Sequence, residues 1–128
     1  MKSLKTILLV EDDRDDQELF IDALTDIKDT ILFDVVHNGR QAIERLQRAL
    51  TLPSVIFMDI NMPVMNGIEC LSEIAKDPAI NGVPVIMLSS SVAHREQVRG
   101  LGAVAFIEKT SSLETFRNAL RQTLQVAG

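Results

Sequence analysis

The stretch Thr6-Ile7-Leu8-Leu9-Val10, running straight into Glu11-Asp12-Asp13, decides how the chain is read. An apolar run of this length, rich in branched aliphatics and with no polar alternation, is a strand covered on both faces. Parallel sheets need such strands. Carboxylates placed directly at its exit ask for a cation or a chemical task.

Outward from this strand, short apolar runs alternate with helical stripes. Leu19, Phe20, Ala23, Leu24 and Ile27 share one helix face, and a second strand runs Ile31 to Val36. Asn38-Gly39 turns into a helix carrying Ala42, Ile43, Leu46, Ala49 and Leu50, which Pro53 closes off. A third strand, Ser54 to Met58, leads to a loop from Asp59 to Asn66 that ends at Gly67. The next helix carries Ile68, Leu71, Ile74 and Ala75 and stops at Asp77-Pro78. The fourth strand is Val83 to Leu88. A fourth helix over about Ala93 to Leu101 has few anchors, namely Val92, Val98 and Leu101, before Gly102. The fifth strand is Ala103 to Ile107, and Ser111 or Ser112 caps a last helix carrying Leu113, Phe116, Leu120 and Leu124.

Five successive strand–helix units predict an α/β protein. With right-handed crossovers they wind into a three-layer α/β/α sandwich around a five-stranded parallel sheet, for which the order 2-1-3-4-5 is the expectation that the resemblance set out below implies. At 128 residues and 14.2 kDa the expectation is one domain over 1–128. With 46% hydrophobic and 24% charged residues the composition is globular, not disordered. A net charge of −5 disfavours nonspecific binding to nucleic acid or to an anionic membrane. A lone cysteine, Cys70, excludes an internal disulfide and a multi-cysteine metal site. No apolar run is long enough to span a bilayer and no leader pattern is evident, so the cytoplasm is expected.

Half of the 18 acidic residues fall between Glu11 and Asp29. Asp15, Asp16, Glu18 and Asp22 read as the solvated, dipole-favoured start of a helix. Asp12 and Asp13 do not, because they stand at a strand exit. In an open parallel sheet, ligands gather outside the carboxyl ends of the strands. With strand one central, Asp12 and Asp13, Asp59, Ser89 and Lys109 converge on one cleft, while His37 and Asn38 lie off to the side. Three close carboxylates repel, so either protons or a cation must join them. Hard oxygen ligands at an open site suit Mg²⁺. A carboxylate beside that ion can attack phosphorus and form an aspartyl phosphate, and Asp59 is placed best to do so. The ammonium and hydroxyl would then meet the phosphoryl oxygens.

These residues resemble the response-regulator receiver domain along nearly the whole chain, a flavodoxin-like fold. Ile7 to Asp13 looks like its first strand and acidic pair, and Met58-Asp59-Ile60-Asn61-Met62-Pro63-Val64-Met65-Asn66-Gly67 like its phosphoacceptor strand and loop. Met87-Leu88-Ser89-Ser90 matches the switch hydroxyl position, and Phe106-Ile107-Glu108-Lys109 the switch aromatic and the lysine. The resemblance implies that Asp59 accepts phosphate from a partner histidine kinase or His-phosphotransfer protein. It implies Mg²⁺ held by Asp13, Asp59 and the Asn61 carbonyl, with Asp12 helping through water, and Ser89 and Lys109 binding the phosphoryl group. Phe106 and Ser89 would switch together, presenting helix four, strand five and helix five to a downstream protein or to a second copy in a homodimer. No output domain is expected. The Glu11 to Asp16 run also looks like stand-alone receivers that partner chemotaxis or phytochrome-type kinases. The family pattern has proline after the lysine, often with a cis bond. Thr110 stands there, and a cis bond without proline costs ~2.5–4 kcal/mol, so the sequence leaves the isomer of this bond, and with it the exact aim of Lys109, open.

Three other functions compete with a signalling switch. A phosphohydrolase of the aspartyl-phosphate type would carry its nucleophile on the first strand and add a cap. A flavin-binding relative would need a Ser-, Thr- and Gly-rich loop where Glu11-Asp12-Asp13 stands. A binding module independent of phosphate would ignore Asp59→Asn. His37, His94, Cys70 and Met58, Met62, Met65 and Met87 read as packing or surface residues, and Phe106 fits core and switch equally.

Overall fold

The computed structural model describes residues 4–127. Strands β1 (Lys5–Val10), β2 (Thr30–Val36), β3 (Val55–Asp59), β4 (Val85–Ser89) and β5 (Ala105–Glu108) alternate with helices α1 (Arg14–Thr25), α2 (Gly39–Arg48), α3 (Gly67–Lys76), α4 (Arg95–Gly100) and α5 (Leu113–Ala127). All neighbouring strands pair in parallel, in the order β2-β1-β3-β4-β5. This is the expected doubly wound sandwich with β1 and β3 inside it.

The strands are apolar throughout because each face of the sheet has its own core. Leu8, Val10, Ile56, Met58, Val85 and Met87 point to one side and meet Ala42, Leu46, Cys70, Leu71, Ile74 and Val98 from α2, α3 and α4. Ile7, Leu9, Val55, Phe57, Ile86 and Leu88 point to the other and meet Phe20, Leu24, Phe116, Leu120 and Leu124 from α1 and α5. Phe20 anchors this second side edge-to-face, 5.1 Å from Phe57 and 6.2 Å from Phe116 between ring centroids. Such pairs add ~0.5–1.5 kcal/mol each beyond the area they bury.

The helices start where their caps dictate. Asn38 accepts from the Gln41 N–H, and Asn66 forms a capping box with Glu69. Of the two candidate caps for α5, Ser112 is the one used, its Oγ accepting from the Thr115 N–H at 3.2 Å.

Several boundaries differ from expectation. Ala49 leaves α2 in an extended conformation, so the helix stops at Arg48 and Leu50 projects fully into solvent. The weakly anchored fourth helix is cut to Arg95–Gly100 behind a 3-10 turn at Val92–His94, with Val98 as its buried anchor. Strand β3 runs one residue further than read, to Asp59, and β4 to Ser89, since both keep their ladder partners. These extensions place the Asp59 and Ser89 side chains on strand ends.

Candidate functional site

The cleft forms where the carboxyl ends of β1, β3, β4 and β5 meet. Asp59 ends β3 with its side chain 6% exposed, and Ser89 ends β4, also buried. Lys109 follows β5, its N–H bonded to the Ser89 carbonyl at 2.8 Å, which ties the β5 exit to the β4 exit. Its peptide bond to Thr110 is trans, and the lysine still reaches the cleft. Lys109 Nζ lies 3.1 Å from Asp59 Oδ1, 2.8 Å from Glu11 Oε1 and 2.8 Å from Asp16 Oδ2.

The carboxylates that gather are Glu11, Asp12 and Asp59, each with an oxygen within 4.8 Å of the others. Asp13 is not among them. It is the N-cap of α1 and accepts from the Asp16 N–H at 2.9 Å. The two carboxylates that the structure gathers beside Asp59 are thus Glu11 and Asp12, where the sequence points to Asp12 and Asp13. Glu11 is held by its backbone N–H to the Val36 carbonyl at 2.9 Å, and its Oε2 accepts from the Asp13 N–H at 3.2 Å. Asp12 is exposed at the mouth.

Two residues that the sequence pattern does not single out lie against Lys109 in the structure, Glu11 and Asp16. Glu11 is masked by the acidic pair behind it. The signal was there, since an aspartate three residues before Asp16 at a helix start reads as a cap. Asp16 was assigned to a solvated helix face, and no sequence pattern joins it to Lys109, 93 positions away.

Burial and charge compete in this cluster. Burial pushes Glu11 up from 4.5 to about 7, against the opposing pull of Lys109. Burial likewise raises Asp59 above the usual carboxylate range, again opposed by Lys109. Burial alone would push the Lys109 ammonium down. Its bonds to Asp16 and Glu11 and the charge of Asp59 overcome that, holding it above its ordinary value. A cluster that carries raised carboxylates around one ammonium has room for more positive charge. Three hard oxygen donors at an open cleft fit Mg²⁺.

The loop after Asp59 is closed tightly. The Gly67 N–H donates to the Ile60 carbonyl at 2.8 Å, and a Cβ at Gly67 would lie 2.3 Å from the Asp59 carbonyl oxygen. Only glycine lets α3 start this close to the end of β3. At the loop tip, the Met65 N–H donates to the Pro63 carbonyl at 2.7 Å across Val64, whose φ is 69°. Asn61 stands exposed two residues beyond Asp59.

Ser89 Oγ accepts from the Ser91 N–H at 3.2 Å. Phe106 pairs in register with Met87, half-buried, with the Arg95 guanidinium 5.3 Å from its ring centroid. A cavity of about 250 Å³ lies beside it, lined by Arg95, Val98, Arg99 and Val104 among others. His37 bonds to Gln17 and His94 to Gln97, both outside the cleft. Cys70 is buried, with Sγ 3.4 Å from the Gly39 carbonyl, and burial pushes its thiol up to about 12. Of the methionines read as packing, Met58 and Met87 are fully buried, and Met62 and Met65 pack against the same core.

Comparison with known proteins agrees with this geometry. The family profile described as "Response regulator receiver domain" matches residues 7–121. A protein-glutamate methylesterase/protein-glutamine glutaminase from Geobacillus kaustophilus is 34% identical over 87% of this chain and 31% of its own length. The chain thus spans about a third of the length of the curated relatives it matches first. Among solved structures, the phosphorylated cyanobacterial phytochrome response regulator RcpA superposes with a TM-score of 0.86 at 27% identity, covering 96% of this chain and 93% of that one. The Mn²⁺-bound form of response regulator Rcp1 superposes with a TM-score of 0.79 at 27% identity, over 92% and 90%. Among the described residues, no helix is long and apolar enough to cross a membrane.

Proposed function

The chain belongs to the response regulator receiver domain family, and from that premise we propose that it is a two-component switch phosphorylated on Asp59. The observation that carries this reading is the contact of Asp59 Oδ1 with Lys109 Nζ at 3.1 Å, beside the Glu11 and Asp12 carboxylates.

An Asp59 carboxylate oxygen attacks the phosphorus of a phosphohistidine on a partner kinase or phosphotransfer protein. The new P–O bond forms as the P–N bond breaks, and the histidine nitrogen leaves with the electron pair. Glu11, Asp12 and Asp59, with the Asn61 carbonyl, would hold Mg²⁺, which would supply positive charge for the phosphoryl oxygens. Lys109 neutralises a second oxygen, and the Ser89 hydroxyl donates to a third. Burial of Asp59 keeps competing water away from the nucleophile.

The consequence is a shift between two conformations. Ser89, drawn toward the phosphoryl group, vacates space on the β4–β5 side, and Phe106 follows it inward. The cavity beside Phe106 gives the ring freedom to move. The surface that changes is that of α4, β5 and α5, where Val92 and Val104 are exposed, and a downstream protein binds there. A second copy of the chain bound on this face would show as phosphate-dependent dimerisation in sedimentation. A cytoplasmic setting suits this exchange with a kinase. The protein turns over no external substrate beyond its own phosphoryl uptake and slow loss.

Intact mass after incubation with Mg²⁺ and acetyl phosphate tests the reading. One phosphoryl group should be gained by the wild type and by neither Asp59→Asn nor the metal-free protein. A blank wild type, repeated with a phosphorylated histidine kinase, would refute it in favour of a phosphate-independent binding module. Sustained hydrolysis of small phosphate esters would instead make it an enzyme.

A further inference from the structure

A lysine ammonium has three N–H donors, and Lys109 has three carboxylates around it. Glu11 and Asp59 belong to the phosphoacceptor cleft. Asp16 comes from the first turn of α1 and has no part in the chemistry derived above. Yet its contact, at 2.8 Å, is as short as that to Glu11 and shorter than that to Asp59. Phosphorylation turns the Asp59 carboxylate into an acyl phosphate whose oxygens take over its place at the ammonium, so Lys109 then faces Glu11, Asp16 and a dianionic group.

Resting on the phosphoacceptor reading, we propose that Asp16 is a placeholder for the phosphoryl group. It occupies Lys109 while Asp59 is free, releases it when Asp59 is phosphorylated, and thereby slows loading. The choice between Glu11 and Asp16 follows from burial. The Asp16 side chain is 38% exposed, against 1% for Glu11. A carboxylate that leaves an ammonium for water is rehydrated, whereas a buried one left unpaired is heavily penalised. Asp16 is therefore the partner that departs.

Charge drives it the same way. Asp16 Oδ2 and Asp59 Oδ1 share one nitrogen, so they stand at most about 6 Å apart. Phosphorylation raises the negative charge at Asp59, and at this separation salt screens little of the repulsion. The backbone need not move. The Asp16 N–H stays bonded to Asp13 Oδ1 at 2.9 Å, so the helix start is pinned and only the side chain turns away. Asp16 is thus a positioning residue that acts through Lys109.

The test compares loading rates from acetyl phosphate with Mg²⁺, followed by intact mass, for the full chain and three variants. Asp16→Asn keeps the shape and removes the charge. Asp16→Glu restores a carboxylate. Asp22→Asn removes an equal charge from an exposed site on the same helix. Asp16→Asn should load roughly three- to tenfold faster than wild type, the span expected for releasing one partly exposed charge-assisted hydrogen bond. Asp16→Glu should return toward the wild-type rate, and Asp22→Asn should stay within about twofold of it. Loading by Asp16→Asn at or below the wild-type rate would overturn the proposal, as would equal acceleration by Asp22→Asn. Failure of every form to load, with each folded by circular dichroism, would instead sink the phosphoacceptor reading and this inference with it.

Discussion

Glu11 ties the stability of the metal-free fold to pH. Its carboxyl is raised by burial from 4.5 to about 7. For an acid raised in the folded state, the native form holds its proton over a range where the unfolded form has lost it. The contribution is intact below about pH 4.5, erodes as pH rises, and is fully lost above about pH 7. At ~1.4 kcal/mol per pH unit this window corresponds to a loss of about 3 kcal/mol. Asp59, also raised by burial, adds in the same direction. Urea unfolding with a chelator, from about pH 5 to about pH 8 at fixed ionic strength, should therefore show a falling midpoint with little change in slope. Glu11→Gln should flatten most of the fall. Mg²⁺ added at the alkaline end should restore stability, because it binds the deprotonated native cleft and not the unfolded chain. A midpoint that is level or rises with pH, or one that falls equally in Glu11→Gln, would refute the reasoning.

Gly67→Ala puts a Cβ 2.3 Å from the Asp59 carbonyl oxygen. It should cost at least about 2 kcal/mol in urea melts and lower the acetyl-phosphate labelling yield, because the strand end must shift. Asp13→Ala should remove the α1 cap at ~1 kcal/mol while leaving Mg²⁺ affinity within about twofold. Asp12→Ala should weaken that affinity by tenfold or more in titration calorimetry, with little effect on stability.

Much of this was legible because the signals were local and repeated. The unbroken apolar strands gave away a sheet covered on both faces, and the sheet order then brought Asp59, Ser89 and Lys109 together. What the sequence hid was finer than a residue type. Whether Asp13 or Glu11 faces the cleft depends on where α1 begins, and three consecutive acids offer no contrast to mark the start. Leu50 fits the stripe of α2, but Ala49 turns the backbone away before it. The short α4 was uncertain for the reason it is short, since Val98 alone among its six residues is buried. The bond between Asp16 and Lys109 joins distant segments through polar atoms, and hydrophobic periodicity carries no record of it.

The sheet also acts as a partition. Side chains of β1, β3 and β4 alternate between two cores that do not mix, so α4 rests on one store of packing and α5 on the other. Substitutions at Val98 and at Phe116 should therefore combine almost additively, while those sharing a core should not. A lineage can then repack the α4 flank while the α5 flank keeps its own core, and across such a divide the two flanks can diverge separately.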